Sequence, residues 1–226
     1  VRLNADATLL FTGHTMSSLY GASSVSASGY VMMFARSGAG FATTATYCFD
    51  QPWGTGITGN PTSGDNHVYG GFDINSDGTY VATTCPAKHI GSNNNQGAVY
   101  VFNGSGTSWT ATEILDSTGT SDSLARSTFG IGGVALNDDA TVLIVGCGYY
   151  NSSVGEIIVY TRSGSTWTQR QSLTHTVAVN YFGGYDGGKN SNLDISGDGE
   201  FIVAGAANGG FTSKGTVVFK RGSGTN

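Results

Sequence analysis

The sequence predicts an all-β fold, a β-propeller built of about four four-stranded antiparallel blades. Three observations carry that expectation: a glycine-rich, charge-poor composition, a fourfold repeat anchored on aspartate turns, and a second repeated column of β-rich runs that end in an aromatic. The 226 residues include 36 Gly and 3 Pro, and only 11% are charged, which is the profile of short strands joined by many turns rather than of long helices. A hydrophobic share of 38% is enough for a packed core, so the low charge does not signal disorder, which combines low hydrophobicity with high charge.

Each copy opens with a matching segment: Leu3-Asn4-Ala5-Asp6-Ala7, Ile74-Asn75-Ser76-Asp77-Gly78, Leu136-Asn137-Asp138-Asp139-Ala140 and Ile195-Ser196-Gly197-Asp198-Gly199. The aligned aspartates lie 71, 62 and 59 residues apart, and each is followed by an apolar run, at 8–13, 79–84, 141–146 and 200–205. Ala7 and Ala140 stand where Gly78 and Gly199 stand in the other copies, so a positive φ at that column is not expected, because alanine resists it. The aspartate is expected to accept backbone N–H bonds as an Asx turn. The second column, 29–34, 97–102, 155–160 and 215–219, starts with Gly and ends in Phe34, Phe102, Tyr160 and Phe219. Gly/Ser turns follow at Ser37-Gly38, Ser105-Gly106, Ser163-Gly164 and Gly222-Ser223, and Phe41, Trp109 and Trp167 open the next strand in the first three copies. Upstream of the aspartates stand Tyr69-Gly70, Phe129-Gly130 and Phe182-Gly183.

Each copy therefore reads as strand, aspartate hairpin, strand, loop, strand, Gly/Ser hairpin, strand. One meander cannot bury both of its faces, so the copies must pack face to face, as the blades of a propeller do. A single domain spans 1–226, with repeats at about 1–66, 67–127, 128–180 and 181–226. Copy one is expected to lack its opening strand and copy four its last. Either the propeller is small or further blades lie outside the chain; in a complete chain, copy four is three-stranded or takes a strand from another molecule.

The Phe-Gly pair, the Asp/Gly turn, the apolar Val-Gly strand, Gly97-Ala-Val-Tyr-Val-Phe102 and Ser-Gly-x-x-Trp-Thr resemble the FG-GAP repeats of integrin-α-like β-propellers, in their second variety. The resemblance covers nearly the whole chain and is clearest over 67–219. The Gly-Ala-Pro that names the repeat is replaced by Gly146-Cys147-Gly148 and Gly205-Ala206-Ala207. The resemblance implies calcium candidates, because some such hairpins bind the ion. These are Asp73, Asn75 and Asp77 in one copy and Asp194, Ser196 and Asp198 in another, but the closing acidic ligand falls at Val81 and Ile202. Two or three side-chain oxygens seldom hold calcium, so plain hairpin turns, no metal and no cofactor are expected.

A net charge of −5 with scattered Lys and Arg supplies no stripe for nucleic acid, and no apolar run reaches the length of a spanning helix. Cys48, Cys85 and Cys147 form no CxxC pair and no complete disulfide framework, and Cys85 and Cys147, at equivalent repeat positions, are expected as buried thiols. Asn103 and Asn151 stand in glycosylation sequons. Together with the composition they suggest an extracellular, cell-surface or virus-particle location. No nucleophile elbow, HExxH pair or phosphate loop is present, and His14, His67, His89 and His175 fall at unrelated repeat positions. The expectation is a non-enzymatic structural or adhesive module whose partners are other proteins or identical copies. The alternative is a lectin that reads glycans with loops between blades. Candidate binding residues are Trp53, in the Pro-containing insertion 50–66, and the loop tyrosines Tyr149, Tyr150 and Tyr185.

Overall fold

The structure, a computed structural model, describes residues 1–14, 29–50, 57, 65, 67–90, 95–115, 129–150, 154–174, 182–184, 193–206 and 215–222. They form four small antiparallel sheets arranged as a four-bladed β-propeller. Blade 1 holds β1 (Arg2–Leu3), β2 (Leu9–His14) and β3 (Tyr30–Ser37), with an outer edge broken into β4 (Gly40–Phe41) and β5 (Tyr47–Asp50). Blade 2 holds β6 (Phe72–Ile74), β7 (Tyr80–Cys85), β8 (Ala98–Ser105) and β9 (Ser108–Leu115). Blade 3 holds β10 (Val134–Leu136), β11 (Val142–Cys147), β12 (Glu156–Ser163) and β13 (Thr166–Leu173). Blade 4 has three described strands, β14 (Leu193–Ile195), β15 (Phe201–Ala206) and β16 (Gly215–Lys220). Copy one does have an opening strand, contrary to expectation: Arg2 and Leu3 pair with Phe11 and Leu10.

The aspartate hairpins are built twice over. Asp6, Asp77 and Asp139 each accept the backbone N–H and the hydroxyl of the threonine two residues on, at 2.6 to 3.1 Å. Asn4, Asn75 and Asn137 each accept the N–H five residues on, at 2.7 to 2.8 Å, and in blade 4 the Ser196 hydroxyl takes that place for Phe201. The turns close with N–H bonds from Ala7, Gly78, Ala140 and Gly199 to the carbonyls three residues back. This geometry corrects the expectation about φ, which is +55° at Ala7 and +52° at Ala140, beside +73° at Gly78 and +74° at Gly199. A left-handed alanine costs about 1 kcal/mol or more, and the surrounding side-chain bonds hold it there. Neighbouring hairpins are also joined in series, Ala5 N–H to Ser76 O, Ser76 N–H to Asp138 O and Asp138 N–H to Gly197 O, at 2.8 to 3.2 Å.

The core is divided among three blade interfaces. Blades 1 and 2 bury Phe11, Val31 and Phe49 against Val81, Tyr100 and Phe102; blades 2 and 3 bury Val99 and Val101 against Leu143, Val145 and Ile158; and blades 3 and 4 bury Ile144 and Ile157 against Leu193 and Ile202. Successive side chains of β8 and β11 thus point into different interfaces, which is why these strands read as continuous apolar runs. Each such side chain contributes about 1.5–3 kcal/mol on burial. The outer tryptophans pack back onto the preceding blade, Trp109 at 4.7 Å from the Phe49 ring. Trp167 packs on the core between blades 2 and 3. Gly132 lies so close to the Gly183 carbonyl that a Cβ would overlap it, so the inner edges of blades 3 and 4 require a glycine there. The far face of blade 4 is open, with Phe201 40%, Val203 38% and Val218 60% exposed.

Candidate functional site

In a meander, the links from second to third strand and from each fourth strand to the next blade emerge on one face, opposite the aspartate and Gly/Ser hairpins. That face collects three histidines that repeat register had left unrelated. His14 ends β2, His89 lies between β7 and β8, and His67 precedes β6. His175 follows β13 and lies outside the described residues.

A group of ionisable side chains, His67, Cys85, Lys88 and Glu113, sits beneath this face in blade 2. His67 is fully buried, its Nε2 2.8 Å from the Thr83 hydroxyl and its Nδ1 3.4 Å from the Gly29 carbonyl. Its ring meets Tyr100 edge-on at 5.8 Å. Burial pushes its pKa down to about 4, and the Lys88 charge adds to that, while the Gly29 carbonyl and Asp65 oppose it. The imidazole is therefore neutral near pH 7. Lys88, also fully buried, places Nζ 3.8 Å from Glu113 Oε1 and 5.5 Å from the Tyr100 ring. Cys85 donates its thiol to the Asp65 carbonyl at 3.2 Å, and burial holds that thiol well above its ordinary pKa. The same carbonyl accepts Ala87 N–H, while Lys88 N–H reaches Cys85 O and Gly97 N–H reaches Lys88 O. The group thereby clamps both ends of the β7–β8 connection. Its buried atoms are in no position to touch a substrate; the exposed side chains nearby are His89 and, at the end of β2, His14, whose ring stacks on Tyr30 at 5.1 Å.

Sequence reasoning passed over Lys88 and Glu113, although a signal was present. In β9, Trp109, Ala111 and Glu113 alternate on one face, and Trp109 and Ala111 pack into the blade 1–2 core. A carboxylate at the next inward position requires a buried cation partner.

The other candidates are dispersed. Tyr149 and Tyr150 are half-buried at the end of β11; Tyr150 packs on the blade 2–3 core and its carbonyl accepts Gly155 N–H. Trp53, Tyr185 and Asn151 lie outside the described residues, while Asn103 is exposed on β8 and donates to Thr79 O at 3.3 Å. The calcium candidates serve the scaffold. Asp73 accepts Arg2 Nε at 3.0 Å and Leu136 N–H at 2.9 Å, so one carboxylate ties together blades 1, 2 and 3. Asp77 is occupied by Thr79 and Asn75, Asp198 by Ser196 and Glu200, and Asp194 by Ile195 N–H. Among the described residues no three His, Cys, Asp or Glu side chains gather as a metal-ligand set. Cys48, Cys85 and Cys147 are free thiols; burial, then the Asp50 carboxylate, pushes Cys48 up to about 12.

No family model matches this chain, and no curated protein matches it. Among solved structures it is similar to a "putative 6-phosphogluconolactonase" from Bacteroides uniformis, at 13% identity and a TM-score of 0.53, over 96% of this chain and 52% of that one. A Bacteroides fragilis protein of the same description aligns at 12% identity over 97% of this chain and 65% of that one, with a TM-score of 0.39. The chain thus spans about half the length of the first and less than two thirds of the second. The expectation of a non-enzymatic structural or adhesive module, or a lectin, is overturned here. A solved structure that shares this fold is described as a "putative 6-phosphogluconolactonase", so a repeat fold without a familiar catalytic motif was no ground for expecting passive surfaces.

Proposed function

We propose that the chain forms part of a propeller hydrolase that opens a sugar-derived lactone. The fold likeness along 96% of the chain to a structure described as a "putative 6-phosphogluconolactonase" is the observation that carries this reading. The placement of ionisable side chains agrees with it. Lactone opening needs water delivered to an ester carbonyl with a base to take its proton, which contributes about 10²–10⁴ in rate. His89 is the candidate base: it is exposed on the β7–β8 connection, next to a lysine clamped in place by Glu113. Lys88 and Glu113 act in this reading as positioning residues. The test follows ring opening of 6-phosphogluconolactone continuously at fixed pH, against the spontaneous reaction. The expected result is acceleration by the purified chain that drops about 10²-fold in His89→Ala with the fold intact by circular dichroism. No acceleration over the spontaneous rate, or an undiminished His89→Ala, would overturn the assignment.

A further inference from the structure

We propose that the cluster about His67 is an acid-sensitive latch, which holds the β7–β8 connection and its exposed His89 closed at neutral pH and releases them when the imidazole is protonated. The latch is a departure from the repeat. In blades 2 and 3 the glycine that precedes the third strand is pressed by a buried phenylalanine of the next blade, so that a Cβ on Gly97 would overlap Phe129 and one on Gly155 would overlap Phe182. In blade 1 the same glycine, Gly29, is pressed by His67. All three rings are fully buried. The residue after each is left-handed, with φ +85° at Gly130, +81° at Gly183 and +65° at Val68. The Phe-Gly pair of blades 3 and 4 is therefore His67-Val68 in blade 2, two residues before the Tyr69-Gly70 that the sequence suggested. Glycine takes that φ freely, whereas a β-branched valine is strained there. Both replacements work against the closed form, one by burying a polar ring and the other by backbone strain.

Polar replacements continue around the ring. Thr83 faces Tyr100 across β7 and β8, where Val145 faces Ile158 in blade 3. Lys88 takes the place of Tyr150, since Gly97 N–H bonds Lys88 O as Gly155 N–H bonds Tyr150 O. His67 Nε2 lies 2.8 Å from the Thr83 hydroxyl and Nδ1 3.4 Å from the Gly29 carbonyl, so the ring ties β7 to the entry of β3. Among the described residues the titratable groups packed about it are Lys88, Asp65 and Tyr100, with Cys85 and Glu113 beyond them. Asp65 O, two residues before His67, accepts Ala87 N–H and the Cys85 thiol. Displacing the His67 segment therefore loosens the connection. A proton on His67 would place a second cation beside Lys88 in an interface closed to water, where charge is costly to hold; opening hydrates it. With a pKa of about 4 closed and 6.5 in water, the closed form is fully favoured above pH 6.5 and loses ground as pH falls toward 4. Opening should be about 30-fold more populated at pH 5 than at pH 8.

Native-state hydrogen exchange, with each amide corrected for its intrinsic dependence on pH, tests the latch whatever the face binds. Protection at Ala87, Lys88 and Gly97 is expected to fall about 30-fold from pH 8 to pH 5. Gly155, which makes the equivalent bond in blade 3 and whose local opening uncovers no imidazole, should keep its protection. The fall should vanish in His67→Phe, which restores the residue of blades 3 and 4, and in His67→Gln, which stays polar without titrating. A fall shared by Gly155, a fall that persists in whichever variant folds, or no fall at all would overturn the proposal.

Discussion

Two residues in left-handed turns and one buried imidazole make the sharpest expectations at the residue scale. At the turn column, Gly78→Ala would bring a Cβ to 2.9 Å from Leu9 Cδ1 at φ +73°, and should cost about 1–2 kcal/mol. Ala7→Gly should instead gain a few tenths to about 1 kcal/mol, because relief of the left-handed alanine exceeds the extra freedom of glycine in the unfolded chain. Urea midpoints for the two variants should move in opposite directions; midpoints moving together would refute the strain at Ala7. His67 makes a pH expectation. Its pKa is about 4 folded and 6.5 unfolded, so between those values the unfolded chain takes up a proton that the folded chain refuses. Stability from this group is complete above pH 6.5 and falls as pH drops toward 4, by about 3 kcal/mol at most. Subtracting the stability profile of His67→Gln from that of the native chain should expose this slope. A flat difference would mean that the ring is not buried as described.

At the scale of elements, the outer strand works as a lid for the neighbouring interface. Trp167, reaching from β13, packs on the blade 2–3 core with Arg162 lying over Tyr80. Trp167→Ala should therefore destabilise by about 2–3 kcal/mol and Trp167→Phe by much less. Equal midpoints for the native and alanine chains in thermal melts would show that the lid contributes nothing. How much of this was legible follows from the same elements. The strands and their order could be read because apolar runs alternate with turn residues, and the repeat fixes the register four times over. Even the Trp167 column was visible. The left-handed Ala7 and Ala140 were not, because alanine's own preference points the other way and is overruled by Asn and Asp side chains whose cooperation appears only in three dimensions. The Lys88–Glu113 pair was half visible: strand alternation marks Glu113 as inward, but its partner comes from a loop with no period. The gathering of His14, His67 and His89 was hidden because they belong to different kinds of connection, and only the meander brings both kinds to one face.

The whole molecule behaves as an array in which each blade is held by its neighbours. Blades 2 and 3 are buried on both faces, by separate clusters. Among the described residues, blade 4 shares a core cluster with blade 3 alone, has three strands, and leaves Phe201, Val203 and Val218 exposed on its other face. Positions equivalent to these three in blade 3, Val142, Ile144 and Val159, pack into the blade 3–4 interface. Opening a blade that contributes to one of these clusters removes one interface, whereas opening a blade that contributes to two removes both. Blade 4 should therefore open by itself, below the global unfolding free energy. Native-state hydrogen exchange should find the amides of β15 exchanging through a smaller free energy than those of β7 and β11. Ile202→Ala, at the blade 3–4 interface, should speed exchange in β14 to β16 and leave β7 unchanged. Leu143→Ala, at the blade 2–3 interface, should cost about 3 kcal/mol and speed exchange in β7 and β11 alike. If both variants instead accelerate every strand equally, the four blades unfold as one cooperative unit, and the hydrogen bonds that join their hairpins in series couple them more tightly than the separate cores imply.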